Sequence, residues 1–195
     1  MKAVVYTQYG PAEVLRMVDV PKPAPRDHEV LVRINATTVT IGDTIMRSLN
    51  MPVHGWQKVM GRFFLGWRSP RRPTLGMELA GEIEAVGREV TRFKPGDAVF
   101  ASTVAVNFGG YAEYKCLPED GVIAVKPANL SDGEAAALVG AGMTAWRCLQ
   151  KGRIQPGQKV LIYGASGAVG TNAVQLASRR FGADVTGVCS GANLE

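Results

Sequence analysis

Seven residues in the last third of the sequence, Gly164, Ala165, Ser166, Gly167, Ala168, Val169 and Gly170, carry its densest chemical signal. They follow an apolar run, Lys159-Val160-Leu161-Ile162-Tyr163, and precede a stretch in which Val174, Leu176 and Ala177 share one helical face. A diphosphate bound at such a bend needs a tight turn out of a strand. It also needs a backbone bare enough to approach, and N–H donors at a helix start. Gly167 and Gly170 fill the second and third glycine places of the dinucleotide fingerprint, and Ala165 replaces the first. A glycine string alone also fits an ordinary strand-to-helix turn, but its place between an apolar strand and a helix directs this one to nucleotide binding.

The end of the next strand refines the ligand. An acidic side chain there holds the ribose 2′-hydroxyl of NAD and would repel the 2′-phosphate of NADP. Here the strand ends Val188-Cys189-Ser190-Gly191-Ala192-Asn193, with no acid before Glu195. Ser190 and Asn193 can donate hydrogen bonds to a phosphate without adding positive charge. NADPH is therefore expected in preference to NADH.

The elements around this turn follow from pattern. A strand, the glycine turn, a helix over 169–181 and a strand over 184–189 make one βαβ unit. Upstream, Ser131 and Glu134 stand three apart, a capping box that starts a helix through Ala135, Ala136, Ala137 and Leu138. A second helical stretch is expected over 143–150. The first ~125 residues read as strands and turns. Val30, Val32, Ile34 and Ala36 alternate with Leu31, Arg33 and Asn35, and further strands are expected over 79–86, 98–102, 111–117 and 122–125. Lys94-Pro95-Gly96-Asp97, Gly109-Gly110 and Pro118-Glu119-Asp120-Gly121 separate them as turns, the pattern of a compact β-barrel or sandwich.

Composition bounds the rest. At 46% hydrophobic and 20% charged residues, the chain reads as an ordinary globular protein. Runs such as 160–172 are too short and glycine-rich to span a bilayer, the opening residues lack a signal peptide's apolar block, and a cytoplasmic location with no membrane partner follows. Cys116, Cys148 and Cys189 form no CxxC pair and are read as three buried thiols. His28 and His54 sit in no ligand-like cluster and are read as surface histidines. Much of the net charge of +5 falls on Lys58, Arg62, Arg68, Arg71 and Arg72, interleaved with Trp56, Phe63, Phe64 and Trp67. Such a stretch can pair with phosphates and stack on bases. Without a nucleic-acid fold signature, a surface loop or short amphipathic helix with its aromatics packed down and its arginines solvated accounts for it, and nucleic acid is not expected as a partner.

Taken in order, several segments resemble the medium-chain dehydrogenase/reductase superfamily, and within it the zinc-independent quinone oxidoreductase (zeta-crystallin-like) branch. They are Met1-Lys2-Ala3-Val4-Val5-Tyr6 with Gly10-Pro11, Thr40-Ile41-Gly42-Asp43 with Arg47, and Gly76-Met77-Glu78-Leu79-Ala80-Gly81 with Gly87. Lys94-Pro95-Gly96-Asp97-Ala98-Val99, Gly109-Gly110-Tyr111-Ala112-Glu113-Tyr114, Gly142-Met143-Thr144-Ala145-Trp146 and the 165–170 turn complete the series. The resemblance implies a mixed fold: a GroES-like β-barrel domain over 1–126, then the first βαβ unit of a Rossmann-type α/β domain over 127–195, incomplete at its C-terminus. Zinc alcohol dehydrogenases of this superfamily carry His in the segment that here reads Gly76-Met77-Glu78, and Cys where Thr40 stands. A thioether and a hydroxyl do not replace imidazole and thiolate as Zn²⁺ ligands, so no metal is expected.

The activity implied is NADPH-dependent hydride transfer to quinones or α,β-unsaturated carbonyls without metal. Thr40 and Asp43 are implied near the nicotinamide or substrate as catalytic residues, and Thr144 beside the cofactor together with Ala165, Ser166, Gly167, Ala168, Val169, Gly170 and Ser190. Asp43 as a turn cap, Thr144 as a helix-start residue, and Arg47 as either a substrate ligand or an ion-pair partner all stay open. A doubly wound domain needs about six parallel strands, and two are legible here. The 195 residues alone are therefore expected to bind NADPH weakly or not at all and to be inactive, with a homodimer through the uncovered unit left open. Two rivals remain: a non-enzymatic nucleotide- or nucleic-acid-binding module, and a zinc-type alcohol dehydrogenase with altered ligands.

Overall fold

The computed structural model describes residues 1–52 and 54–193; the Lys58 side chain and Glu195, both named above, lie outside the described residues. The chain divides into two compact units, Met1–Ala137 and Leu138–Glu195.

In the first unit, β1 (Lys2–Val5) pairs antiparallel with β2 (Arg16–Asp19). β3 (Glu29–Thr37) is followed by two helices, α1 (Ile41–Ser48) and α2 (Trp56–Leu65), and then by β4 (Glu78–Val86), β5 (Ala98–Ser102), β6 (Tyr114–Pro118) and β7 (Ile123–Val125). The last five strands form one antiparallel sheet in the order β6-β3-β4-β5-β7. Val30, Val32, Leu79, Ile83, Val99 and Ala101 fill the core from the inner strands. Leu117 from one edge and Ile123 from the other join the same cluster. Edges that share a core mean a curled sheet, the barrel form expected of a GroES-like domain.

The β3 alternation holds only in part. Leu31, expected to face outward, is 4% exposed, and the ladder to β4 slips between Leu31 and Val32. A bulge there breaks the strict two-residue period. The first 125 residues also contain the helices α1 and α2 amid the expected strands. The α1 start carries a capping box, Thr40 with Asp43, of the same kind as Ser131 with Glu134.

α3 (Asp132–Lys151) is one helix of 20 residues where two stretches were expected. Gly140 and Gly142 lie inside it; a glycine costs about 1 kcal/mol relative to alanine in a helix, which packing on both sides of the pair offsets. Ala135 and Ala136 are buried beside Ala80, and Ala145 and Leu149 in the second unit's core. Thr144 is thus inside a helix and exposed, so the helix-start reading of it fails. Cys148, one residue short of buried Leu149, lies on the outward side and is exposed, while Cys116 and Cys189 are half-buried. The three buried thiols expected are therefore not found.

The second unit continues with β8 (Lys159–Tyr163), α4 (Ala168–Gln175) and β9 (Asp184–Val188). β8 and β9 pair in parallel, and a π-turn over Leu176–Arg180 extends α4. Val160, Ile162 and Val185 pack against Ala173, Ala177 and Leu149, whereas Leu161 and Tyr163 are 68% and 88% exposed. One face of the pair is covered and the other is open, where an all-parallel sheet normally buries both. Among the described residues no helix is long and apolar enough to cross a membrane.

Candidate functional site

The predicted site residues fall into two groups, one in each unit. In the second unit, β8 ends at Gly164, whose φ of +79° lets the chain reverse sharply. The Gly164 and Ala165 N–H groups both donate to the Val188 carbonyl, at 2.8 and 2.9 Å, fastening the turn to the end of β9. Ala165, at the first fingerprint position, is accommodated by a glycine on the neighbouring strand: a Cβ built at Gly187 would lie 2.9 Å from the Ala165 methyl.

The other two fingerprint glycines do different work. A Cβ at Gly170 would lie 2.0 Å from the Gly164 carbonyl oxygen, so this position needs glycine for the helix to close on the turn. At Gly167 a Cβ would meet only that oxygen, at 3.4 Å, with open space beyond. Gly167 is the N-cap of α4 and no side chain caps the helix. The first-turn amides of Ala168 and Val169 thus lack a side-chain acceptor, and the residues carrying them are exposed. Bare backbone and uncapped donors at a helix start form an anion cradle. Asn193, read as a phosphate donor, instead donates its Nδ2 hydrogen to Ser166 Oγ at 3.1 Å. Ser190 is exposed beside it, and no acidic residue is described after Asp184.

In the first unit, the capping box brings Thr40 and Asp43 together. Asp43 is 2% exposed. Its Oδ2 accepts from the Thr40 amide at 2.9 Å and the Thr40 hydroxyl at 2.7 Å, and its Oδ1 accepts from the Gly76 amide at 2.9 Å. Asp43 therefore ties α1 to the loop that carries Met77. The Thr40 hydroxyl also lies 3.7 Å from Met77 Sδ, so these two residues contact each other. Among the described residues no three His, Cys, Asp or Glu side chains cluster to hold a metal ion.

Around Asp43 the environment is apolar. Tyr6, Met46, Leu75 and Phe108 are buried together, with Met77 and Tyr111 packed against them. Burial, then the Tyr9 and Asp43 charges, pushes the Tyr6 phenol up to about 12. The Tyr111 phenol is raised by burial first and the Asp43 charge next, with Arg47 acting the other way. Arg47 Nε is buried without a hydrogen-bond partner among the described residues, and the Tyr111 hydroxyl is buried on the side of the Asp43 carboxylate. Tyr111 was given no role from sequence; its signal was a tyrosine directly after the Gly109-Gly110 turn. It also lines a largely apolar groove of about 550 Å³ with Val4, Ile34, Thr37 and Val39.

The remaining residues stand apart. Thr144 is exposed on α3. His28 is solvent-exposed and pairs with Glu89 at 2.8 Å, as a surface histidine does.

Comparison with known proteins adds the context. The family model for the alcohol dehydrogenase GroES-like domain matches residues 26–127. The chain belongs to this family. A curated quinone oxidoreductase from Lama guanicoe is 39% identical over 181 residues, covering 91% of this chain and 49% of the relative. Among solved structures, the quinone oxidoreductase from Coxiella burnetii superposes with a TM-score of 0.83 at 32% identity, over 99% of this chain and 57% of the other. The quinone oxidoreductase of Escherichia coli, solved complexed with NADPH, gives 0.79 at 29% identity, over 99% and 54%. These likenesses agree with the quinone oxidoreductase branch of the medium-chain superfamily, and with a GroES-like domain followed by part of a Rossmann-type one. The chain spans about half the length of the curated relatives it matches.

Proposed function

We propose that these residues form the substrate-side domain (1–126) and the first part of the dinucleotide-binding domain (127–195) of an NADPH-dependent, zinc-independent cytoplasmic reductase of quinones or α,β-unsaturated carbonyls. The observation that carries this reading is the exposed turn at 164–170, open at Gly167 and uncapped at the start of α4. Its chemistry suits a diphosphate: the amides of Ala168 and Val169 donate, the Ser166 hydroxyl adds a contact, and the absence of a described acid after β9 leaves room for a 2′-phosphate near Ser190. Bound there, NADPH supplies the hydride.

The chain's own residues supply position and polarity. Thr40 is the polar group placed on the substrate side; it donates its hydroxyl hydrogen to Asp43, which holds it in place, and presents its oxygen as an acceptor. Tyr111 stays protonated at neutral pH and lines the apolar groove, its hydroxyl buried on the Asp43 side. Thr144 is retained as a cofactor contact. The Thr40 and Met77 donor set does not suit Zn²⁺, and conjugated acceptors need no Lewis acid. With two parallel strands present, the 195 residues hold only part of a dinucleotide site and do not turn over alone.

The test compares NADPH oxidation with a quinone acceptor by the 195-residue chain and by the same residues joined to the second half of the E. coli relative. Turnover is expected in the chimera alone, with NADPH preferred over NADH and loss of activity in Gly167→Val. Turnover by the 195-residue chain, or activity abolished by a zinc chelator, would overturn the corresponding part of the proposal.

A further inference from the structure

The sequence of α2 is patterned for burial, yet the helix is not buried. Trp56, Val59, Met60, Phe63 and Phe64 follow the i, i+3, i+4, i+7, i+8 spacing of a single apolar face, and Trp67 follows the Gly66 cap. That face points to solvent: Trp56 is 70% exposed, Phe63 66% and Phe64 65%. The opposite side fastens the helix to the protein. Gly61 and Leu65 are half-buried, and Leu65 packs beside Tyr6 and Leu75. Tyr9 donates its hydroxyl to the Gly66 carbonyl at 2.9 Å, and the Arg71 amide donates to the Leu65 carbonyl at 2.9 Å. The outward apolar stripe is therefore held in place by bonds on the helix's other side. A contiguous exposed apolar patch of this kind marks an interaction surface.

Charge selects the partner. Between Asp43 and Glu78 the sequence contains no acidic residue, and Arg62, Arg68, Arg71 and Arg72, on α2 or within seven residues of its end, are exposed. The Arg71 guanidinium sits 5.3 Å from the Phe63 ring centroid, a cation beside the apolar face. An apolar stripe flanked by basic groups is the pattern of a helix lying in the plane of a membrane interface. We propose that α2 and the segment through Arg72 seat the protein on an anionic lipid surface, the aromatics entering the headgroup boundary and the arginines meeting lipid phosphates.

A second copy is disfavoured, because a two-fold contact through the same face would set like charges against each other. Nucleic acid is disfavoured because Val59 and Met60 share the face with the aromatics, and aliphatic side chains offer bases no stacking partner. A helix lying on a membrane surface needs neither the length nor the continuous apolar run of a spanning segment, so the sequence carries no such run.

The test mixes the 195-residue chain with vesicles of phosphatidylcholine, alone or with phosphatidylglycerol, and reads flotation. A Trp146→Phe background leaves Trp56 and Trp67 as the only tryptophans, so their emission reports insertion. Expected are flotation and a blue shift with the anionic vesicles alone, weakened by salt. Arg68→Ala with Arg71→Ala should weaken binding about thirty-fold, at the typical contribution of each cation. Phe63→Ser with Phe64→Ser should abolish it while the far-ultraviolet circular dichroism stays unchanged. Failure to float, equal binding to neutral vesicles, a dimer lost in the double serine variant without lipid, or binding to single-stranded DNA in place of vesicles would each overturn the proposal.

Discussion

Asp43 commits both carboxylate oxygens to the fold: one to the start of α1 through Thr40, the other to the Gly76 amide on the adjoining loop. At 2% exposure it has no water to replace these partners. Asp43→Ala strands the buried Gly76 N–H and the half-buried Thr40 N–H and should lower stability by about 3 kcal/mol, read as a shift in the urea midpoint. Thr40→Val removes the cap's hydroxyl and should cost about 1 kcal/mol. Nearby, Tyr6 yields a prediction for alkaline pH. Its folded pKa of about 12 lies above the unfolded value of 10.0, so its neutral form is favoured in the fold. The stabilisation it adds is full below pH 10 and is lost as the pH rises from 10 towards 12. Tyr6→Phe should flatten the loss of stability between pH 10 and 12, measured by urea unfolding across that range.

Two helix starts carry the argument at the next scale. α4 begins on Gly167 without a side-chain cap, and α3 begins on a full capping box. The uncapped start is the one beside the glycine turn, and its two glycines separate under mutation. Gly170→Ala drives a methyl into the Gly164 carbonyl and should cost about 3 kcal/mol, the scale of a strained overpacked site. Gly167→Ala has room, with φ at −76°, and should leave the thermal midpoint nearly unchanged while weakening nucleotide binding in the chimera. The capped start responds to acid. Glu134 has its pKa lowered by the Ser131 hydroxyl and then by the Ser131 amide. A depressed carboxylate pKa means the stabilisation is present above the unfolded value of 4.5 and lost as the pH falls through the folded one. Glu134→Gln should therefore reduce the fall in helix content on acidification, followed by circular dichroism.

Among the described residues, two exposed apolar faces belong to single elements of regular structure. One is the outward face of α2; the other is the open face of the parallel strand pair, with Leu161 and Tyr163. They lie in different units and differ in electrostatic setting. Basic residues flank the α2 face, and the strand pair shows the bare surface of a sheet with one layer of cover. Leu161→Lys with Tyr163→Ser should leave stability within about 0.5 kcal/mol, the usual range for exposed positions. If the open sheet face drives self-association, light scattering of this variant should fall while vesicle flotation persists.

The sequence by itself determined the local features whose cause is local: the β8 and β5 strands, the Ser131–Glu134 cap, the glycine turn and the order of segments that resembles the reductase family. Each depends on residues within a few positions of one another, through period, capping or a turn's need for a bare backbone. Other features waited for tertiary structure. Leu31 turned inward through a slip in a ladder to residues fifty positions away, and α3 ran through two glycines because packing favoured it on both sides of them. Only the fold showed that Asp43 reaches Gly76, that Asn193 answers to Ser166, and that the apolar face of α2 looks outward. Spacing along a helix shows that a face is apolar, but which way it points is decided by contacts between distant parts of the chain.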